Sequence, residues 1–113
     1  MDFRELALSM PEAIEKEAWG HPTFRVRNKM FASAATDLST ATVKSTLEEQ
    51  RALTQSEPDT FFVPKYVGKA GWIGIDVTRV DPEELRELTI EAWRMTAPKR
   101  LVNAWDEEHP VPR

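Results

Sequence analysis

The chain contains no cysteine. Disulfide staples, zinc–thiolate sites, iron–sulfur clusters and a cysteine nucleophile are therefore excluded. It has two histidines, His21 and His109, each followed by proline, so a His-rich metal cluster is excluded as well. Glycine is scarce, with four in 113 residues. The most glycine-rich stretch, Gly68-Lys69-Ala70-Gly71, lacks the GxxxxGK[ST] spacing that cradles nucleotide phosphates. No apolar run approaches the ~20 residues needed to span a bilayer. Asp2 and Glu5 stand where a secretory signal needs a basic start. These absences predict a cytoplasmic domain with no membrane role. A chain of 113 residues leaves no room for two ordinary domains.

Hydrophobic residues make up 41% and charged residues 30%, a balance that can bury a core and excludes wholesale disorder. The net charge of −4 argues against a surface that is basic all over. The charges are segregated. Ala18 to Thr36 holds no acid and carries Arg25, Arg27 and Lys29. Thr60 to Ile75 holds no acid and carries Lys65 and Lys69. Asp81 to Glu91 has five acids against Arg86 alone. If the acid-free segments share a face, that face is positive on an acidic protein.

The periodicity predicts an α+β domain. A first amphipathic helix covers Asp2 to Leu8, and Pro11–Lys16 reads as one more helical turn. Gly20-His21-Pro22 reads as a loop. Thr23–Ala35 reads as a hairpin turning at Asn28-Lys29, with Phe24, Val26 and Phe31 on the core face. Thr36–Thr40 is a turn and Ala41–Ser45 a third strand, with Val43 inward. Thr46-Leu47-Glu48-Glu49 has the spacing of a capping box opening a helix to Ser56. Pro64 marks Phe61–Val67 as an edge segment. Trp72–Thr78 alternates cleanly, with Ile73, Ile75 and Val77 inward. Asp81-Pro82-Glu83-Glu84 starts a helix whose stripe is Leu85, Leu88, Ala92 and Met95. A last helical turn covers Lys99–Trp105. The expected architecture is an antiparallel sheet with helices packed on one face, within a single domain over residues 1–105. Residues 106–113 are expected to form a flexible tail. The other sheet face would show Arg25, Arg27, Lys44 and Trp72.

Three stretches carry a resemblance: Trp19-Gly20-His21-Pro22-Thr23-Phe24-Arg25-Val26 with Lys29 and Phe31, Tyr66-Val67-Gly68-Lys69-Ala70-Gly71-Trp72-Ile73-Gly74-Ile75, and Ala97-Pro98-Lys99-Arg100-Leu101. In this order and spacing they resemble the MmcQ/YjbR-like family of small bacterial proteins. The resemblance implies a two-layer fold similar to CyaY, the bacterial frataxin. It also implies a DNA-binding role through a "double wing". The chain departs from the family pattern at Arg27-Asn28, where a small glycine-containing turn is common, and at Ser45, where an apolar residue is usual.

The candidate nucleic-acid contacts are Arg25, Arg27, Lys29, Lys44, Lys65, Tyr66, Lys69, Trp72 and Lys99. Basic side chains release counterions from phosphates, and aromatic rings can stack on bases. Each has a plainer reading. The strand arginines can cover Trp72 on a solvated face. The Gly68–Gly71 turn can simply feed a strand. Lys99 and Arg100 can compensate a helix C-terminus. His21 reads as a loop histidine bonded to a nearby carbonyl rather than a general base. Glu83, Glu84, Glu87 and Glu91 fit a capped, solvated helix better than a metal site. No nucleophile, base and acid stand at readable spacing, so no catalytic residue and no cofactor are expected. The sequence thus predicts a monomeric, non-catalytic binding module, with DNA as the foremost partner. A small molecule or protein partner is the alternative.

Overall fold

The structure is a computed structural model that describes residues 2–110. Its elements run α1 (Phe3–Leu8), β1 (Ala13–Ala18), β2 (His21–Val26), β3 (Lys29–Ala34), β4 (Thr40–Val43), α2 (Leu47–Ser56), β5 (Phe61–Phe62), β6 (Ile73–Asp76), α3 (Pro82–Arg94) and α4 (Lys99–Glu108). A single 3-10 turn, Val67–Ala70, precedes β6. The strands form one six-stranded sheet in the order β1-β2-β3-β4-β6-β5, with every neighbouring pair antiparallel. This is an α+β fold. Among the described residues no helix is long and apolar enough to cross a membrane.

One face of the sheet makes the core. Phe24, Val26, Phe31, Val43, Ile73 and Ile75 are fully buried, as their alternation predicts. They join Phe3 and Leu6 of α1, and Leu85, Leu88, Ala92 and Trp93 of α3, in one contiguous cluster. Leu101, Val102 and Trp105 of α4 pack on its margin. The Trp93 indole N–H, deep in that cluster, donates to the Pro11 carbonyl at 3.0 Å, so its polar edge is satisfied.

The structure corrects four expectations. Residues 13–18 are not a helical turn but strand β1, paired along its length with β2. Ala-Ile-Glu-Lys-Glu-Ala has helical composition, and pairing in a hairpin overrides it. His21 and Pro22 accordingly belong to β2 rather than a loop, and the turn is Trp19-Gly20, both at positive φ. The next turn is Arg27-Asn28, one residue earlier than expected. Both residues are left-handed, as a two-residue hairpin turn of the primed kind requires. Finally, α4 continues through Glu108, held by Arg94 pairing with Asp106 at 2.8 Å, so residues 106–108 are helical rather than tail. Residues 111–113 of the expected tail lie outside the described residues.

The helix caps are where the sequence places them. Thr46 Oγ1 accepts from the Glu49 N–H, and the Asp81 carboxylate from the Glu84 N–H, with Pro82 in the first turn. Asp81→Ala is expected to destabilise the domain by about 1 kcal/mol, because it orphans a helix N–H and removes a negative charge from the positive end of α3. Chemical denaturation of the two proteins checks this. An unchanged midpoint would contradict the cap.

Candidate nucleic-acid interface

The ladder decides which loops are neighbours. Val26 pairs with Lys29 next to the β2–β3 turn. At that same end β4 finishes and β6 begins, since Ala32 pairs with Val43 and Val43 with Ile73. Phe62 pairs with Gly74, so the segment leaving β5 starts there too. The hairpin tip, Lys44 and residues 63–71 therefore share one end of the sheet. Arg100 belongs to this end as well. Its charge, after the hydrogen bond and charge of Arg27, holds the Glu12 carboxyl below its ordinary value.

Seven cations collect here: Arg25, Arg27, Lys29, Lys44, Lys65, Lys69 and Arg100, whereas Lys99 lines a separate groove with Glu91, Arg94 and Asp106. Only Arg27 is ion-paired among the described residues, with Glu12 at 2.6 Å. Its charge is already compensated, which weakens its expected role in meeting a phosphate. Arg25 is half-buried on the open sheet face, with Nε donating to Thr23 Oγ1 at 3.2 Å. Lys44 is half-buried on the same face, and its backbone N–H donates to the Phe31 carbonyl at 3.0 Å. Lys29, Lys65 and Lys69 stand toward solvent, and Tyr66 is 94% exposed at positive φ. Lys99 and Arg100 do not belong to the last turn of a helix. They open α4, whose N-terminus is itself positive, so dipole compensation does not explain them.

Trp72 departs most from expectation. It is 8% exposed rather than displayed beside the arginines. The buried Gln50 amide donates both to the Gly68 carbonyl at 2.8 Å and to the Trp72 carbonyl at 2.7 Å. This clamp draws residues 68–72 onto α2. Gly71, at φ +97°, lies so close to the Thr46 and Leu47 backbone that a Cβ would clash there. The sequence reading missed Gln50, because one polar residue in a polar helix gives no signal. It also missed Phe62, whose ring rests on Gly74 and stays 41% exposed. The alternation of β6 could have flagged that position, since it places a residue without a side chain on the outer face.

His21 has a plain structural role. Its ring sits 6.3 Å from that of Trp19, and Nδ1 lies 3.4 Å from the Pro22 carbonyl.

Four of the acids gather elsewhere. A groove of about 440 Å³ between α2 and α3 is lined by Glu49, Glu84, Glu87 and Glu91 over Leu88 and Met95. Among the described residues no group of His, Asp or Glu is arranged to hold a metal ion.

These features define a YjbR-type α+β domain. The family model for YjbR matches residues 8–95, and the chain belongs to that family. The fold is similar to the crystal structure of Deinococcus radiodurans protein DR2400, described as domain DUF419. The TM-score is 0.76 at 20% identity, over 96% of this chain and 86% of that one. No curated protein matches the chain significantly.

Partial burial is the main reason the Glu84 carboxyl is raised above its ordinary value of 4.5, with the charges of Glu57, Asp81, Glu87 and Glu49 adding to it. A raised folded-state value means the ionised carboxylate opposes folding at neutral pH, and that lowering the pH relieves the cost. Glu84→Gln is therefore expected to melt at a higher temperature than wild type at pH 7. The advantage should fade as the pH falls through the raised value toward 4.5, and be gone below it. Melting curves across that range test it, and a variant less stable at pH 7 would contradict the assignment.

Proposed function

We propose that this chain is a non-catalytic nucleic-acid-binding module that works through the basic end of its sheet. One observation carries the reading: separate segments (β2, the start of β3, the end of β4, residues 63–71 and the start of α4) bring cations without ion-pair partners to the same end of the fold. Counterion release makes such clusters bind phosphate backbones, and a net charge of −4 does not oppose this where the cations are gathered at one end and four of the acids line the α2/α3 groove. DNA is the partner that the family resemblance suggests. The loops at residues 27–29 and 65–69 supply exposed side chains on either side of Lys44.

A second reading draws on the groove itself. Its carboxylates and apolar floor fit a cationic protein partner.

Salt dependence separates the two. Wild-type protein is expected to bind DNA with affinity that falls steeply as salt rises. Lys29→Ala, Lys44→Ala and Lys69→Ala combined should flatten the logarithmic slope by about 2–3 units, roughly one for each phosphate left without its lysine. These side chains are exposed or half-buried and make no ion pairs among the described residues, so folding should survive. Absence of binding at low salt would overturn the nucleic-acid reading. An unchanged slope in the triple variant would move the binding surface away from this end.

A further inference from the structure

The segment between β5 and β6 holds a backbone conformation that folding alone does not explain. Tyr66 has φ 66° and ψ −63°, and the Val67 N–H closes across it onto the Lys65 carbonyl at 2.7 Å. This is a γ-turn of the positive-φ kind, which is rare and strained for a residue with a side chain. The strain returns nothing to the core. The Tyr66 ring is 94% exposed, so it buries almost no apolar surface and gains almost no hydrophobic stabilisation. The surroundings hold the turn instead. The Gly68 N–H donates to the Pro64 carbonyl at 3.1 Å, and the Gln50 amide ties the Gly68 and Trp72 carbonyls to α2. Val63 lies so near Gly68 that a Cβ there would overlap its Cγ1. The chain is thus fastened around the turn, and Tyr66 is displayed at its apex.

We propose that this turn captures unpaired bases of single-stranded nucleic acid, with a base stacked on the Tyr66 ring and the neighbouring phosphates meeting Lys65 and Lys69. The inference rests on the nucleic-acid reading above and names the form of ligand it takes. Three features select that occupant. Charge comes first. Lys65 precedes Tyr66 and Lys69 follows it, both exposed, and neither is ion-paired among the described residues. They stand in a stretch without acid from Thr60 to Ile75, so the partner is anionic. The ring comes second. A flat, wetted aromatic between two cations matches a ligand that alternates phosphates with apolar faces, and every base has such a face. In a duplex those faces are stacked on one another inside the helix, so an unpaired stretch offers them and an intact duplex does not. Extent is the third. The cations continue past the turn to Lys44, Lys29 and Arg25 at the same end of the sheet, which suits a polymer of repeated charges.

The test compares a labelled oligothymidylate with a mixed-sequence duplex of equal length, by fluorescence anisotropy at fixed low salt. The proteins are wild type, Tyr66→Phe, which keeps the ring, Tyr66→Leu, which keeps apolar bulk without a ring, and Tyr66→Gly, which removes the side chain and relieves the backbone. Circular dichroism melts accompany each. Wild type and Tyr66→Phe are expected to prefer the single strand. Tyr66→Leu and Tyr66→Gly should lose about tenfold in single-strand affinity with duplex affinity unchanged. Tyr66→Gly should melt no lower than wild type, because glycine takes this φ without a steric cost. Equal or tighter binding of the duplex by wild type would overturn the inference and leave the broader nucleic-acid reading standing. Single-strand binding by Tyr66→Leu as tight as that of Tyr66→Phe would overturn it as well. So would a Tyr66→Gly melt far below that of wild type, which would give the ring to the fold. Failure of wild type to bind either oligonucleotide would overturn the broader reading, and this inference with it.

Discussion

One extra residue in β3 sets which side chains the sheet buries and which it displays. Arg25 pairs with Met30, yet Phe24 pairs with Ala32, so Phe31 is a bulge. Had the pairing run on without it, Phe24 would face Phe31, and Ser33 would turn toward the core with Pro22. The bulge lets Phe31 and Ala32 both be buried completely and turns Ser33 outward. Everything across β4 and β6 inherits that choice. Ala34, Val43, Ile73 and Ile75 go under the helices, and Thr42 and Gly74 go to the open face. The outward row of small residues is a consequence of this one irregularity, and bulges commonly re-aim side chains in this way.

The same end of the sheet concentrates the strained backbone. Glu12, Arg27, Asn28 and Tyr66 all have positive φ without being glycine. Such conformations cost of order 1 kcal/mol or more each and persist where the surroundings hold them. The Arg27–Glu12 pair spans two of them, and the Gln50 clamp holds the segment that follows Tyr66. The exposed ion pairs contribute little to stability by themselves. Their effect is to hold the loops in place and to leave the neighbouring cations free. On the helical side the logic is reversed, with Glu49, Glu84, Glu87 and Glu91 lining a groove. The basic end of the sheet and the α2/α3 groove thus carry opposite charges.

Much of this was legible in the residues. The alternation in β6 and the cap residues Thr46 and Asp81 place their elements correctly, because each rests on local chemistry that the tertiary structure does not override. The inward assignment of Phe31 is correct for the wrong reason. A turn at Asn28-Lys29 with regular pairing puts it inside, and so does a turn at Arg27-Asn28 followed by a bulge. Strand β1 was illegible because Ala13–Ala18 is rich in helix formers and takes its conformation from β2 across the hairpin. The burial of Trp72 was not legible because the backbone that carries it is clamped to α2 by Gln50, which is 22 residues away in the sequence. For the site, the cations were legible as residue types. Their gathering was not, because it depends on which strand ends meet. The place of Phe62 over Gly74 required the register itself.

The central claim is that the basic end of the sheet, and not the helical groove, forms the binding surface. Backbone amide chemical-shift mapping of isotopically labelled protein titrated with oligothymidylate tests it most directly. The largest shifts are predicted at Arg25, Lys29, Lys44 and residues 65–69, with the α3 amides from Glu84 to Arg94 unmoved. Shifts confined to α3 and the start of α2, with the sheet amides silent, would contradict it.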